Sequence, residues 1–507
     1  MFRKTEVDKL FEKMKMTDYL FYGSLIAISI LVFAIPFGLE PVLMADSPAY
    51  LAGTLGQGIV PVYPFFIYLN KLIFSSVFYL QAVVIEQILF AAGATVFFVL
   101  FIKKAMGAGR IEAYLFLLLS VIPYTVLMPE GMTSRFIVTE ALAYPCFYLL
   151  MTSVLNGIWE NKISSVFIAE ILAIFMALTR TQLQLVLVIP AGTFFLLWMR
   201  GKVWNEKMRM IYRFITGILL FCIIFLLSYS IYKQSNLVLQ RGLVWITRVA
   251  NVSEEEQKEA DFSKEVAEKE DTVADNQMAG SIHEENNQNI FSQISGVIFT
   301  KVMIMAERED AKLFQDDTMR QLYTYVYDRL EQDQLVLSAM DKNLMIADQL
   351  QIGLADIAKS VNKYLNDFAD QYPDFEIDIN GARDEFSEVL LKGHPFRWIL
   401  SGILQFPFGL ISSVFIHRRG MYWMSYLVTA VIYALAAGVC IVGKKDVKRR
   451  EFMVVCISVN LLFVVATSMV FMPLKRYVNY GFGVFYIAFY CMIKSCIVDF
   501  ARKGECG

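Results

Sequence analysis

The chain has 507 residues, of which 57% are hydrophobic and 14% aromatic, and its formal net charge is −2. This apolar content excludes an ordinary soluble enzyme, because several apolar runs approach the ~20 residues that cross a bilayer as a helix. The sequence therefore predicts an all-α polytopic membrane protein with the lipid bilayer as its surroundings. The near-zero net charge says nothing about the partners, and no nucleic-acid partner is expected.

Residues 1–18 are predicted to form a cytoplasmic interfacial helix, because Leu10, Phe11 and Met14 share one helical face among lysines. A first span follows over residues 19–37. Basic residues precede this span, so the positive-inside rule places the N-terminus in the cytoplasm. The N-terminal region is too long and too acidic for the start of a signal peptide, and an uncleaved first span is expected.

The loop over residues 39–76 lies outside the membrane in this topology and is rich in proline. Its prolines preclude one continuous helix and favour short helices along the membrane face. The loop contains a carboxylate at Asp46 and aromatic residues at Tyr50 and Tyr63. From the residues alone, Asp46 is either a site carboxylate or an ordinary loop acid that caps a short helix.

Further spans are predicted up to residue 232, and two of their polar residues are unusual. Glu140 lies about a turn inside the fourth span, where a carboxylate is costly and by default functional, unless it merely pairs with Arg135. A polar break at Arg180 divides residues 164–199 into a tight hairpin. This break puts Arg180 on the outer face with Glu140, as a phosphate ligand or as an interfacial anchor.

The second half begins with a polar insert over residues 233–395, whose first part is acidic and whose later part has apolar residues at helical spacing. It is predicted to be a helical domain on the outer face. Residues 396–420 are predicted to be re-entrant or interfacial, because a span there would place the basic residues 444–450 outside. Residues 421–507 complete about ten to eleven transmembrane helices and end in the cytoplasm.

This topology gathers acids and cations at the outer face. A carboxylate is suited to deprotonating an acceptor hydroxyl, and cations are suited to neutralising a phosphate leaving group. The sequence has no Walker loop and no nucleotide-sugar motif, so an activated donor supplied within the membrane is the simplest partner. The residues in question are Asp46, Glu140, Arg180, Lys475, Arg476 and Tyr477.

The stretch MADSPAYLAGTLGQGIVPVYPFFIYL resembles the first outer loop of the GT-C glycosyltransferases, which are integral membrane enzymes that use polyprenyl-phosphate sugars. Asp46, Tyr50 and Tyr63 match the acid, the aromatic residue and the Tyr-Pro of that loop. TSRFIVTEALAYP resembles the acidic site of the third loop at Glu140, and LKRYVNYGFGVFYIAFY resembles the Arg-Tyr entry to a late span. The insert over residues 233–395 has no counterpart in this resemblance.

The resemblance implies a GT-C-like bundle in the plasma membrane that transfers a sugar by an inverting single displacement. Its implied partners are a polyprenyl-phosphate sugar donor and a glycan, lipid or protein acceptor, as in the synthesis of cell-envelope glycans. Some relatives need a divalent cation and others do not. The implied roles are catalysis by Asp46 and Glu140, donor-phosphate binding by Arg476, Lys475 and Arg180, and substrate binding by Tyr50, Tyr63 and Tyr477.

Two other functions stay open. A lipid-linked glycan polymerase or ligase would depend on an Arg/His set in the large outer loop more than on Asp46. A transporter or flippase would carry charges at mid-membrane and paired broken helices in two halves. No metal site is predicted, because the seven cysteines form no CxxC pair and no Cys/His cluster.

Overall fold

A computed structural model of the chain describes residues 16–34, 38–44, 47–51, 61–74, 78–125, 135–201, 210, 217, 299–340, 346–373, 375, 378–415, 422–443, 446–470 and 478–504. These residues are helical apart from their connections, and they include no β-strand. One isolated bridge pairs Val42 with Phe136. The all-α class predicted from the apolar runs is thus found throughout the described part of the chain.

The helices follow one another in a simple order. The first eight are α1 (Met16–Ala34), α2 (Ser47–Leu51), α3 (Val62–Ile73), α4 (Tyr79–Met106), α5 (Arg110–Thr125), α6 (Glu140–Glu160), α7 (Ile163–Thr179) and α8 (Val188–Arg200). A 3₁₀ segment, Thr181–Leu187, joins α7 to α8. The others are α9 (Asp317–Gln332), α10 (Ile346–Gln371), α11 (Ile379–Gly393), α12 (Pro395–Val414), α13 (Tyr422–Val442), α14 (Val447–Val470) and α15 (Phe482–Gly504).

Among the described residues, six helical segments are long and apolar enough to cross a bilayer, which fits a multi-pass membrane protein. They are Tyr79–Met106, Glu140–Glu160, Leu183–Arg200, Trp423–Val442, Val447–Met469 and Asn479–Ala501. Shorter apolar helices cover Asp18–Ala34, Val62–Ile73 and Ile163–Thr179. The count of ten to eleven spans stays a prediction, and the predicted span over residues 214–232 lies mostly outside the described residues.

Ion pairs join the helices at one end of the bundle, called here the charged end. They are Arg110–Asp18 at 2.5 Å, Lys494–Glu112 at 2.6 Å, Arg200–Glu451 at 2.6 Å and Lys448–Glu160 at 3.5 Å. One end each of α1, α5, α6, α8, α14 and α15 therefore lies at this side of the bundle. The basic residues predict that this side faces the cytoplasm. Because successive helices alternate in direction, the start of α6 and the end of α7 meet at the opposite end.

The described part of the predicted insert is helical, and its buried apolar residues form a cluster of their own. The residues at helical spacing that the sequence singles out form part of that cluster: Leu322, Val326, Leu330, Leu350, Ile357 and Val361. Tyr325 packs at its edge. Periodic burial of this kind provides the packing that stabilises these otherwise polar helices. Residues 233–298, including the acidic first part, lie outside the described residues.

Helix α12 ends about halfway through the bundle. Near its start, a Cβ added to Gly402 would lie 3.0 Å from the carbonyl oxygen of Ser468, at the end of α14 far from the charged end. Near its other end, the Ser413 hydroxyl lies 2.8 Å from the hydroxyl of Tyr433, the middle of α13. A helix that enters from the far end and stops at mid-depth is compatible with the predicted re-entrant segment, which stays a prediction.

Lys301 joins the insert to the membrane bundle. Its side chain is fully buried, and its ammonium donates to the carbonyl oxygens of Ser468 and Met469, with a distance of 3.3 Å to Met469. These carbonyls belong to the last turn of α14 and lack partners within the helix. Burial lowers the pKa of Lys301 to about 7, because the charged form loses its hydration.

This lowered pKa predicts a stability that rises with pH. Between about pH 7 and about pH 10 the unfolded chain keeps the lysine proton that the folded chain has lost, so raising the pH favours folding. Below about pH 7 both states hold the proton and this contribution stays constant. We expect melting temperatures measured across this range to rise in the wild type and to flatten in Lys301→Met. Lys392→Met, which changes an exposed lysine, is the control and should keep the slope. Equal slopes in wild type and Lys301→Met would refute the assignment.

Candidate functional site

A buried ion pair between Glu140 and Arg180 lies at the end of the bundle opposite the charged end. Glu140 is 2% exposed and Arg180 is 7% exposed. The guanidinium pairs with the Glu140 carboxylate and also donates to the Thr139 hydroxyl at 3.2 Å. That hydroxyl donates to the second carboxylate oxygen at 3.0 Å. Charges at this depth are tolerated only when paired and hydrogen-bonded, so the three side chains form one connected unit.

Local structure explains how these side chains meet. Glu140 is the first residue of α6, whose N-terminus favours a negative charge. Arg180 follows the last residue of α7 in an extended conformation, and its side chain faces the neighbouring helix. The pair therefore forms where two antiparallel helices end together. Arg135, the alternative partner considered for Glu140, lies over the ring of Phe136 with 5.4 Å to the ring centroid.

The loop over residues 39–76, which is predicted to be the first outer loop, is hydrogen-bonded to the segment that leads into α6. The amide of Ile137 donates to the carbonyl of Val42 at 3.0 Å. The Ser47 hydroxyl donates to the carbonyl of Ile137 at 2.8 Å and accepts from the Met44 amide at 2.7 Å. Asp46 itself lies outside the described residues. Ser47, the next residue along the chain, is bonded to Ile137, which lies three positions before Glu140.

Tyr63 and Tyr50 form the aromatic side of this site. Their rings meet edge to face with centroids 5.2 Å apart, and the Tyr63 hydroxyl donates to the Gln87 side chain at 2.7 Å. Gln87 in turn donates to the carbonyl of Phe136 at 3.3 Å. Burial, then Tyr50 and the charge of Glu140, raise the pKa of Tyr63 well above its usual value. Tyr63 is therefore a neutral hydroxyl donor, and its role in substrate binding stays a prediction.

The entry to the last span approaches from the other side. Tyr480 stacks on Tyr144, one turn after Glu140, with ring centroids 4.1 Å apart. Tyr480 also stacks on Phe463 of α14 at 5.4 Å. The predicted phosphate ligands Lys475 and Arg476, and Tyr477, lie outside the described residues.

No protein-family model, curated protein or solved structure matches this chain. Function is therefore inferred from the residues and their geometry. Among the described residues, no group of three or more His, Cys, Asp or Glu side chains could hold a metal ion. The site described so far thus consists of an ion pair, hydroxyls, an amide and aromatic rings.

Sequence reasoning missed several polar residues. Thr139 and Gln87 bridge parts of the site, but neither residue type is unusual enough in an apolar helix to be noticed. Glu170 was a clearer omission, since it lies in the middle of α7 and is only 8% exposed. Its carboxylate lies so close to Gly217 that a side chain there would clash. A lone acid amid an apolar run was the signal that could have found it.

Proposed function

We propose that this chain is a membrane glycosyltransferase that transfers a sugar from a polyprenyl-phosphate donor to an acceptor. One observation carries the proposal: separate segments converge on the buried Glu140–Arg180 pair. These segments are the anchored first loop at Ser47, the aromatic helix α3 at Tyr63, and the entry to the last span at Tyr480. Each is the described part of a stretch whose sequence resembles a GT-C motif.

The chemistry is an inverting single displacement. The acceptor oxygen attacks the anomeric carbon, its proton passes to Asp46, and the bond from that carbon to the phosphate oxygen breaks. The phosphate leaves with the bonding electrons, so cations near it lower the barrier. Because Arg180 is balanced by Glu140, we assign the larger share of phosphate neutralisation to Arg476 and Lys475. Glu140 and Arg180 then meet the donor as a pair.

A transporter is supported less well. Transport sites lie near mid-membrane, between two related halves. Glu170 does lie in the middle of its helix, α7. The segments that meet around the Glu140–Arg180 pair, however, do so at the ends of their helices. An arrangement at the membrane face suits a donor that is anchored in the bilayer with its sugar outside.

The polymerase or ligase alternative gains one observation. His394 Nε2 lies 2.9 Å from Asp310 Oδ1, and Arg397 pairs with the same carboxylate and with Glu307 at 2.9 Å. Asp310 is 3% exposed, whereas the His394 side chain is 38% exposed. His394 at the end of the predicted insert and Arg397 in the first turn of α12 thus share one carboxylate, which resembles the Arg/His set that this alternative requires. Arg397 forms ion pairs with two carboxylates of the insert, Glu307 and Asp310. These ion pairs favour a role for Arg397 in joining the insert to α12.

The test is substrate consumption by the purified full-length protein in lipid nanodiscs. A synthetic polyprenyl-phosphate hexose is expected to yield free polyprenyl phosphate, whereas a nucleotide sugar should not be consumed. If only polyprenyl-diphosphate-linked glycans react, the polymerase or ligase alternative replaces the proposal. If labelled lipid-linked sugar crosses proteoliposome membranes without any chemical change, the protein is a transporter and the proposal fails.

A further inference from the structure

Glu86 is an acidic residue on the lipid-facing surface of the membrane bundle. It belongs to α4, which is long and apolar enough to cross the bilayer. Glu86 is exposed, and so are its apolar neighbours on the same helix, Ile85 at 43% and Leu89 at 51%. The exposed surface of a helix that crosses the bilayer faces lipid, where an ionisable side chain is costly and marks a functional site by default.

The position of Glu86 along α4 places it at the level of the lipid headgroups. Helix α4 ends at Met106, just before Arg110 of the charged end. Glu86 precedes Met106 by roughly 20 residues, which is about 30 Å at the rise of an α-helix. The hydrocarbon core of a bilayer is also about 30 Å thick. With the end of α4 at one boundary of this core, Glu86 therefore lies at the other boundary.

Asn70 of α3 fixes the Glu86 carboxylate in place. Asn70 is 2% exposed, and its amide nitrogen donates to Glu86 Oε2 at 2.8 Å and to the carbonyl of Phe66 at 3.2 Å. Among the described residues, Asn70 is the one polar partner of Glu86. A buried amide thus orients one carboxylate oxygen, while the exposed part of the carboxylate is open to a ligand from the bilayer.

The charge of this position selects a headgroup that is cationic and donates hydrogen bonds. An ionised carboxylate only accepts hydrogen bonds, so it pairs with an ammonium and repels a phosphate. A primary ammonium has three N–H donors, whereas the trimethylammonium of choline has none. The headgroup that fits is therefore ethanolamine.

We propose that Glu86, oriented by Asn70, binds the ammonium of a phosphatidylethanolamine molecule in the leaflet opposite the charged end. The acyl chains lie along exposed apolar residues of α3 and α4. These residues are Phe65, Leu69, Leu72, Ile85 and Leu89. Because Asn70 joins α3 to α4, the bound lipid stabilises this contact and the hydrogen bond from Tyr63 to Gln87 between the same helices. The lipid site does not depend on the glycosyltransferase proposal.

The first experiment measures lipid binding to the full-length protein by native mass spectrometry. The lipids are phosphatidylethanolamine, its N,N-dimethyl derivative, phosphatidylcholine and phosphatidylglycerol, all with the same acyl chains. We expect phosphatidylethanolamine to bind about tenfold more tightly than phosphatidylcholine, as one hydrogen bond to a charged group provides. The dimethyl lipid keeps one N–H donor and should bind more tightly than phosphatidylcholine. Equal affinities for the zwitterionic lipids, or tightest binding of phosphatidylglycerol, would overturn the proposal.

Glu86→Gln tests the assignment to this carboxylate. Asn70 can still donate to the glutamine oxygen, so the variant should keep its melting temperature in micelles. Its preference for phosphatidylethanolamine over phosphatidylcholine should disappear. Glu40→Gln, which changes an exposed acid in the loop over residues 39–76, is the control and should keep the preference. A preference that survives in Glu86→Gln would assign the lipid to another site and refute the proposal.

The last experiment locates the lipid on the wild-type protein and so does not depend on the folding of a variant. Phosphatidylethanolamine with a photoreactive acyl chain is expected to crosslink to the exposed apolar residues of α3 and α4 named above. The matching phosphatidylcholine should crosslink there less, relative to exposed residues of α13 such as Leu427 and Leu435. Crosslinked residues are identified by mass spectrometry. The same distribution of crosslinks for both lipids would contradict a site at Glu86.

Discussion

Glu140→Gln is expected to lower the free energy of unfolding by roughly 3–5 kcal/mol and to reduce sugar transfer strongly. The substitution leaves the Arg180 guanidinium buried without its counter-charge, and losing one member of a buried pair costs more than the pair itself contributes. Unfolding can be followed in mixed micelles by titration with a denaturing detergent. The control is Glu112→Gln, whose partner Lys494 is 41% exposed, and roughly 1 kcal/mol or less is expected there.

A double variant separates structure from chemistry at this pair. Glu140→Gln with Arg180→Met removes both charges together, so most of the lost stability should return. Transfer activity should not return, because neither replaced side chain can make a charged contact with the donor. If the double variant recovers both stability and activity, the pair only holds α6 against α7 and its assignment to the site is wrong.

Asp46→Asn is expected to reduce the turnover of a polyprenyl-phosphate sugar by about 10²–10⁴-fold, since an amide cannot accept the acceptor's proton. Binding of the donor should change little, because the proton is removed only in the transition state. Steady-state kinetics with the synthetic donor would show this as a fall in kcat at similar KM. Glu40→Gln, an exposed acid six positions earlier in the same loop, is the matched control and should leave turnover unchanged.

His394→Gln distinguishes the two enzymatic proposals within the same assay. If Asp46 is the base, this variant keeps its turnover with the polyprenyl-phosphate sugar. Loss of turnover in His394→Gln, together with full activity in Asp46→Asn, would move the catalytic site to the insert and support the polymerase or ligase alternative.

Local patterns predicted much of the architecture correctly. The spacing of Leu322, Val326 and Leu330 indicated a helix with one buried face, because a helix returns to the same face every three to four residues. The break at Arg180 ended α7 where the sequence turns polar. Asp46, Lys475, Arg476 and Tyr477 lie outside the described residues, so their roles remain predictions.

Other features depended on contacts between distant segments. The sequence placed Glu140 and Arg180 at the same membrane face but could not pair them, since Arg180 and its second partner Thr139 are 41 residues apart. Gln405 attracted no notice in an apolar stretch, and only the packing of α12 in the bundle buried its amide, which has no hydrogen-bond partner among the described residues. Lys301 was also unremarkable until its ammonium was found on the last carbonyls of α14.

The sequence alone determined that this is a helical membrane protein and that a proline-rich, acid-bearing loop follows its first span. It could do so because hydropathy and helix-breaking residues act locally, through the bilayer and the backbone. Only the tertiary structure decided that this loop is anchored beside the start of α6, and that Arg180 rather than water neutralises Glu140. The physical reason is that burial and charge pairing depend on which helices become neighbours.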